Sequence, residues 1–157
     1  GSAFVVTVPL KTAKEDRRRT ERTTYQEYDF SGKRVLLVED NEINIEITRN
    51  ILIHKNFMVD IAENGKAGVE QFLKHEPGYY DVILMDVQMP NMDGYTATQR
   101  IRDLDDSRAE IPIIAMTANA YDEDRRKAQE AGMDGFLAKP LDVDEMMRLL
   151  AQIIKTE

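Results

Sequence analysis

Residues 82–94 read VILMDVQMPNMDG. The four leading apolar residues have the composition of a strand covered on both faces. They run without a break into Asp86, after which Met, Pro, Asn and Gly mark a loop. A carboxylate is expensive to bury unpaired. Asp86 must therefore reach solvent or meet a cation, and the flanking sequence bears on which.

Short apolar runs recur on either side, at 35–38 (VLLV), 58–61 (MVDI), 111–116 (IPIIAM) and 135–138 (GFLA). Helical spacing lies between them. After Asn41, Ile43, Ile47 and Ile51 recur every four residues and Leu52 widens that row, which predicts a helix with this face turned to the core. Val69, Phe72 and Leu73 mark a second helix, and Ala97, Ile101 and Leu104 a third. Residues 122–131 (DEDRRKAQEA) open with three acids, as a helix N-terminus favours. Gly132 follows, suited to a left-handed C-terminal cap. Residues 141–154 form the fifth, with Val143, Met146, Met147, Leu150, Ile153 and Ile154 facing inward. Asn56 stands where the first helix must stop, and Asn64-Gly65 marks a turn into the second. Five strands alternating with five helices predict a parallel sheet with helices on both faces.

The 157 residues suffice for one such domain and an extra segment. Apolar runs of four or five residues are far short of a bilayer span, and no basic-then-apolar leader opens the chain. The absence of cysteine excludes a disulfide framework and a thiolate metal site, and makes the cytoplasm the default location. Net charge is −8, unevenly spread: residues 11–24 (KTAKEDRRRTERTT) carry +3, so the body is more acidic still. An acidic body repels a phosphate backbone, which argues against nucleic acid as a partner. The basic run reads as a solvated linker.

In open parallel sheets ligands bind beyond the carboxyl ends of the strands. Glu39 and Asp40 follow the first predicted strand, Asp86 the third, Thr117 the fourth, and Lys139-Pro140 the fifth; only the second ends blandly, in Ala62-Glu63. Taken singly, each is ordinary: a cap, a turn residue, a surface lysine. Three acids, a hydroxyl and one lysine at four strand ends form a matched set.

The blocks VLLVEDN (35–41), VILMDVQMPNMDG (82–94), IPIIAMTAN (111–119) and GFLAKP (135–140) resemble the receiver domain of two-component response regulators. The resemblance runs from about Lys33 to Ile154, within a domain of residues 33–157. It implies a flavodoxin-like (βα)5 fold with strand order 2-1-3-4-5. It makes Asp86 the phosphoacceptor, and Asp40 and Asp86 carboxylate ligands of Mg²⁺, with Glu39 holding a metal-bound water or binding directly. The Gln88 backbone carbonyl would be a further ligand. Thr117 and Lys139 would each hold a phosphoryl oxygen, and Pro140 would follow a cis peptide. Phe136 stands at the family's switch aromatic.

The chemistry explains the residue types. Three carboxylates about 5 Å apart repel by roughly 3 kcal/mol per pair at an effective dielectric near 20. A divalent cation and Lys139 together bring +3 against −3, and hard oxygen ligands suit Mg²⁺, or Mn²⁺ in its place. Asp86 thus ends a core strand because a rigid strand end aims its carboxylate at the metal. Phosphoryl transfer then needs positioning and charge stabilisation, and yields an acyl phosphate on Asp86. Ala118 is small and leaves the pocket mouth open, while Gln88 and Asn119 are placed to order or block an attacking water. A shift of Thr117 toward the phosphoryl group would vacate space for the Phe136 ring, coupling by packing alone.

Residues 1–10 (GSAFVVTVPL) alternate as a short strand stopped by Pro9. They resemble the last strand of a histidine-kinase ATP-binding domain, which implies a hybrid sensor kinase as parent, with any membrane anchor belonging to that parent. Residues 11–32 would be the linker. Such a strand, parted from its sheet, would leave an edge able to pair with a second copy as a homodimer. No output domain is expected after Ile154, so the partners are a histidine kinase or a histidine phosphotransfer protein. His54 and His75 are the only histidines, and His75-Glu76-Pro77 lacks phosphoacceptor spacing and closes a helix at a Pro. Two other readings share the pattern. A Mg²⁺-dependent phosphohydrolase with an aspartyl nucleophile would want a second acid where Gln88 stands. A docking module that is never phosphorylated would not need the acid–Thr–Lys set.

Overall fold

The computed structural model describes residues 5–6, 28–89, 92–118 and 122–154. After β1 (Val5–Val6) come β2 (Arg34–Val38), α1 (Glu42–His54), β3 (Met58–Ala62), α2 (Gly65–Leu73), β4 (Val82–Asp86) and α3 (Gly94–Arg102). A 3-10 turn (Ser107–Glu110) leads to β5 (Ile113–Thr117), α4 (Asp122–Ala131), β6 (Gly135–Ala138) and α5 (Val143–Ile154). The strands form one parallel sheet in the order β1-β6-β5-β4-β2-β3. Without β1, the five strands follow the order 2-1-3-4-5 among themselves, the flavodoxin-like arrangement. β1 adds a sixth strand at the β6 edge, with Val5 opposite Gly135 and Val6 opposite Phe136.

Local chemistry sets the element ends. The side chains of Asn41, Asn64 and Asp93 each accept the backbone N–H three residues on, capping α1, α2 and α3. Asn56 takes φ +73° just after α1 and Gly132 φ +99° just after α4, the left-handed turns expected at both places. Pro112 has no N–H to give a ladder, and β5 begins one residue after it, two later than the apolar run predicts.

The sheet divides the core in two. On one side α2, α3 and α4 bury Val69, Phe72, Ala97, Ile101 and Ala128 against Leu36, Ile83, Ala115 and Phe136. On the other, α1 and α5 bury Leu52, Met146, Met147, Leu149 and Leu150 against Leu37, Leu84, Met116 and Leu137. The row Ile43, Ile47, Ile51 is not the core face of α1. Ile43 and Ile47 are exposed, and the helix buries Thr48 and Leu52 instead. A four-residue repeat overshoots the 3.6-residue turn, so the row winds across the helix and only its C-terminal end leans toward the sheet. In α5, Val143 is also exposed, at the first turn, and Leu149 takes an inward place.

Candidate functional site

Four strand ends meet at one rim. β4 delivers Asp86 as its last residue, 3% exposed. β2 ends at Val38, and the two residues before the α1 cap are Glu39, 1% exposed, and Asp40, exposed. β5 ends on the fully buried Thr117. Lys139 follows β6, its N–H donating to the Thr117 carbonyl at 2.7 Å, and the Lys139–Pro140 peptide is cis. All five sequence-predicted side chains thus lie on consecutive strand ends of one edge.

One carboxylate oxygen each from Glu39, Asp40 and Asp86 lies within 4.8 Å of the others. The Lys139 ammonium bridges two of them, 2.7 Å from Glu39 Oε1 and 3.3 Å from Asp86 Oδ2. Glu39 Oε2 accepts the Asp40 N–H at 3.1 Å and the Asn41 N–H at 3.3 Å. Burial first, then the adjacent Asp86 carboxyl, push the Glu39 carboxyl above its usual range in spite of Lys139. Burial alone would lower the Lys139 ammonium, but its hydrogen bond to Glu39 and the charges of Asp86 and Glu39 outweigh it, so its pKa is raised. The cluster therefore holds a fixed cation and still has more negative charge than that cation balances. Oxygen donors alone, two buried and one exposed, fit a hard divalent ion.

The loop after β4 is seated on two glycines. A Cβ on Gly94 would collide with the Asp86 carbonyl, and one on Gly65 with the Met92 carbonyl. The loop thus folds back on the strand end, and the Gln88 N–H donates to Asp86 Oδ1 at 3.0 Å. Gln88 and Ala118 are exposed at the mouth, and Asn119 lies outside the described residues. Phe136 is buried opposite Ala115, two residues before Thr117 on the same side of the sheet. The seating glycines were not predicted; MDG and NG announce turns, but not which backbone the turn approaches.

The protein resembles known ones along most of its length. Residues 35–151 match the family described as the response regulator receiver domain. Hybrid signal transduction histidine kinase B of Dictyostelium discoideum is 37% identical over 147 residues, 87% of this chain and 7% of that protein. Aerobic respiration control sensor protein ArcB of Escherichia coli is 31% identical over all of this chain and 19% of its own length. The chain thus spans a small part of each of these relatives. The receiver domain of sensor histidine kinase PA1611 from Pseudomonas aeruginosa, solved with a magnesium ion coordinated in its active site cleft, superposes with TM-score 0.73 at 37% identity, covering 80% of this chain and all of that one. The receiver domain of Saccharomyces cerevisiae Ssk1, solved with the histidine phosphotransfer protein Ypd1, gives TM-score 0.73 at 30% identity, covering 80% and 91%. Sheet order, an acidic rim bridged by lysine, and a family match over three-quarters of the length agree: the chain belongs to the response regulator receiver domains, with the receivers of hybrid histidine kinases as its homologues.

Proposed function

We propose that the chain takes a phosphoryl group from a phosphohistidine onto Asp86 in a two-component phosphorelay. One observation carries the reading: three carboxylates within 4.8 Å at the end of a parallel sheet, bridged by a lysine amine at 2.7 and 3.3 Å. In the transfer an Asp86 oxygen forms a bond to phosphorus while the bond from phosphorus to the donor imidazole nitrogen breaks, its electron pair leaving with that nitrogen. Lys139 neutralises charge on a phosphoryl oxygen and the Thr117 hydroxyl holds another. The exposed Ala118 leaves the mouth open to the donor ring.

Glu39, Asp40, Asp86 and the Gln88 carbonyl would hold Mg²⁺, with Mn²⁺ as a substitute. When bound, the ion offsets carboxylate charge and stabilises charge developing on the phosphoryl group. Glu39 is kept in place for this by two backbone N–H groups and Lys139. The switch runs through Thr117 and Phe136.

The partner that fits is a histidine kinase or a histidine phosphotransfer protein. The exposed Ile43 and Ile47 on α1, just past Asp40, offer an apolar surface beside the site. Residues 1–10 are read as the terminal strand of a kinase ATP-binding domain and 11–32 as the linker, consistent with a hybrid kinase relative matching the whole chain. Val5 and Val6 are its described residues, and the β-strand they form would pair with β6 in place of the neighbouring copy a homodimer needs. No helix among the described residues is long and apolar enough to cross a membrane. The reading places the domain in the cytoplasm, with any membrane anchor elsewhere in the parent kinase.

The test is transfer of radiolabelled phosphate from acetyl phosphate and from a phosphorylated histidine phosphotransfer protein, with Mg²⁺ present. Wild type should take one acid-stable, base-labile label and Asp86→Asn none. Equal labelling of Asp86→Asn would overturn the assignment.

A further inference from the structure

Among the described residues, one buried side-chain nitrogen or oxygen has no hydrogen-bond partner: Arg125 Nε. A buried guanidinium N–H without an acceptor calls for a physical reason. Arg125 lies in the first half of α4, half-buried, with its guanidinium carbon 5.8 Å from the centroid of the Phe136 ring. Its neighbours on the helix pair outward, Lys127 with Glu123 and Arg126 with Glu130, whereas no described carboxylate forms an ion pair with Arg125. The group it faces is an aromatic ring, whose negative π face attracts a cation, more strongly where water is excluded. Tyr95 of α3 ties down the same turn, its hydroxyl donating to the Asp124 carbonyl at 3.4 Å and its ring packing against the cluster that contains Phe136.

We propose that Arg125 is a positioning residue: it holds the Phe136 ring in the unphosphorylated arrangement and passes displacement of that ring to α4. The proposal rests on the reading of Phe136 as the switch aromatic. While the ring stays under the guanidinium, its π face compensates the unpaired Nε. When the ring moves toward the space behind Thr117, that compensation is lost and the Arg125 head turns to water. The first turn of α4 then loses an inward tie and gains an exposed cation. The switch becomes polar at its outer end although its inner end is packing alone.

Hydrogen exchange of the α4 amides, read before and after saturating Asp86 with acetyl phosphate and Mg²⁺, separates the outcomes. Wild type should exchange roughly twofold to fivefold faster in the first turn of α4 once phosphorylated, the shift that losing a cation–π contact supports. Arg125→Met keeps the aliphatic bulk and removes the cation. It should exchange at the faster rate before phosphorylation and change little after, with labelling of Asp86 intact. Arg125→Lys restores a cation over the ring and should recover most of the wild-type response, which a purely packing role would not produce. A response in Arg125→Met equal to that of wild type overturns the role of Arg125 and leaves Phe136 standing. No response in wild type despite full labelling overturns the Phe136 reading, and this proposal with it.

Discussion

Replacing Lys139 by Met removes the only cation described against the acidic rim and keeps its aliphatic volume. At an effective dielectric of 20, the ammonium attracts Glu39 at 2.7 Å by about 6 kcal/mol and Asp86 at 3.3 Å by about 5 kcal/mol, both gross of desolvation. Two carboxylate oxygens within 4.8 Å of each other repel by at least about 3.5 kcal/mol on the same scale. The variant cannot carry that unbalanced charge, and Glu39 offers the escape, because burial and Asp86 already raise its pKa. A carboxyl at the ordinary value of 4.5 costs about 3.4 kcal/mol to protonate at pH 7, and one above it costs less. The expected loss is therefore about 2–3 kcal/mol at pH 7 in chelator, or roughly 4–12 °C in Tm. A raised folded-state pKa contributes stability below the unfolded value and loses it as pH rises through the folded one. The deficit of Lys139→Met should accordingly shrink to below about 1 kcal/mol near pH 5. Urea unfolding of both proteins in EDTA at the two pH values measures it. A deficit equal at both, or larger at the lower pH, would refute the reasoning.

Two further outcomes are expected. Mg²⁺ at ten times its Kd should add about 1.4 kcal/mol of stability by linkage, and Asp40→Ala should lose most of that gain; a melting temperature indifferent to EDTA in wild type would remove the metal assignment. Arg102 donates to the carbonyls of Gly132, Ala109 and Ile111 and to Asp134 Oδ2, at 2.6–2.9 Å, tying α3 to the segments before β5 and β6. Arg102→Met should cost about 1.5–3 kcal/mol in urea unfolding, the range for losing part-buried hydrogen bonds from a charged group, and Arg102→Lys less, because one ammonium cannot span four acceptors; a loss under about 0.5 kcal/mol for Arg102→Met contradicts the clasp.

The strands and the site were legible for a common reason. A parallel strand covered on both faces must be apolar throughout, so its end is sharp, and the first polar residue past it is placed by the ladder. Glu39, Asp86, Thr117 and Lys139 could thus be assigned to one rim from VLLV, VILM, IIAM and GFLA. Helix faces were less legible. Ile43 and Ile47 carry the residue type of a core and sit outside it, because a row repeating every four residues winds across the helix and position relative to the sheet, not composition, decides burial. The Arg102 clasp and the Arg125–Phe136 contact were silent, since each joins segments that approach only after folding.

The division of the interior by the sheet has a mechanical consequence. Phe136 shares its packed cluster with Ala128 of α4 and Ala97 and Ile101 of α3, whereas Leu52 of α1 and Met146 of α5 belong to the opposite layer. A rearrangement that starts at the aromatic ring can spread through its own layer without disturbing the other, because close-packed interiors transmit strain through contact. The surface beside Ile43 and Ile47 lies on α1, in the layer opposite α4. Two contacts could therefore form on opposite faces of the sheet without competing for the same packed layer.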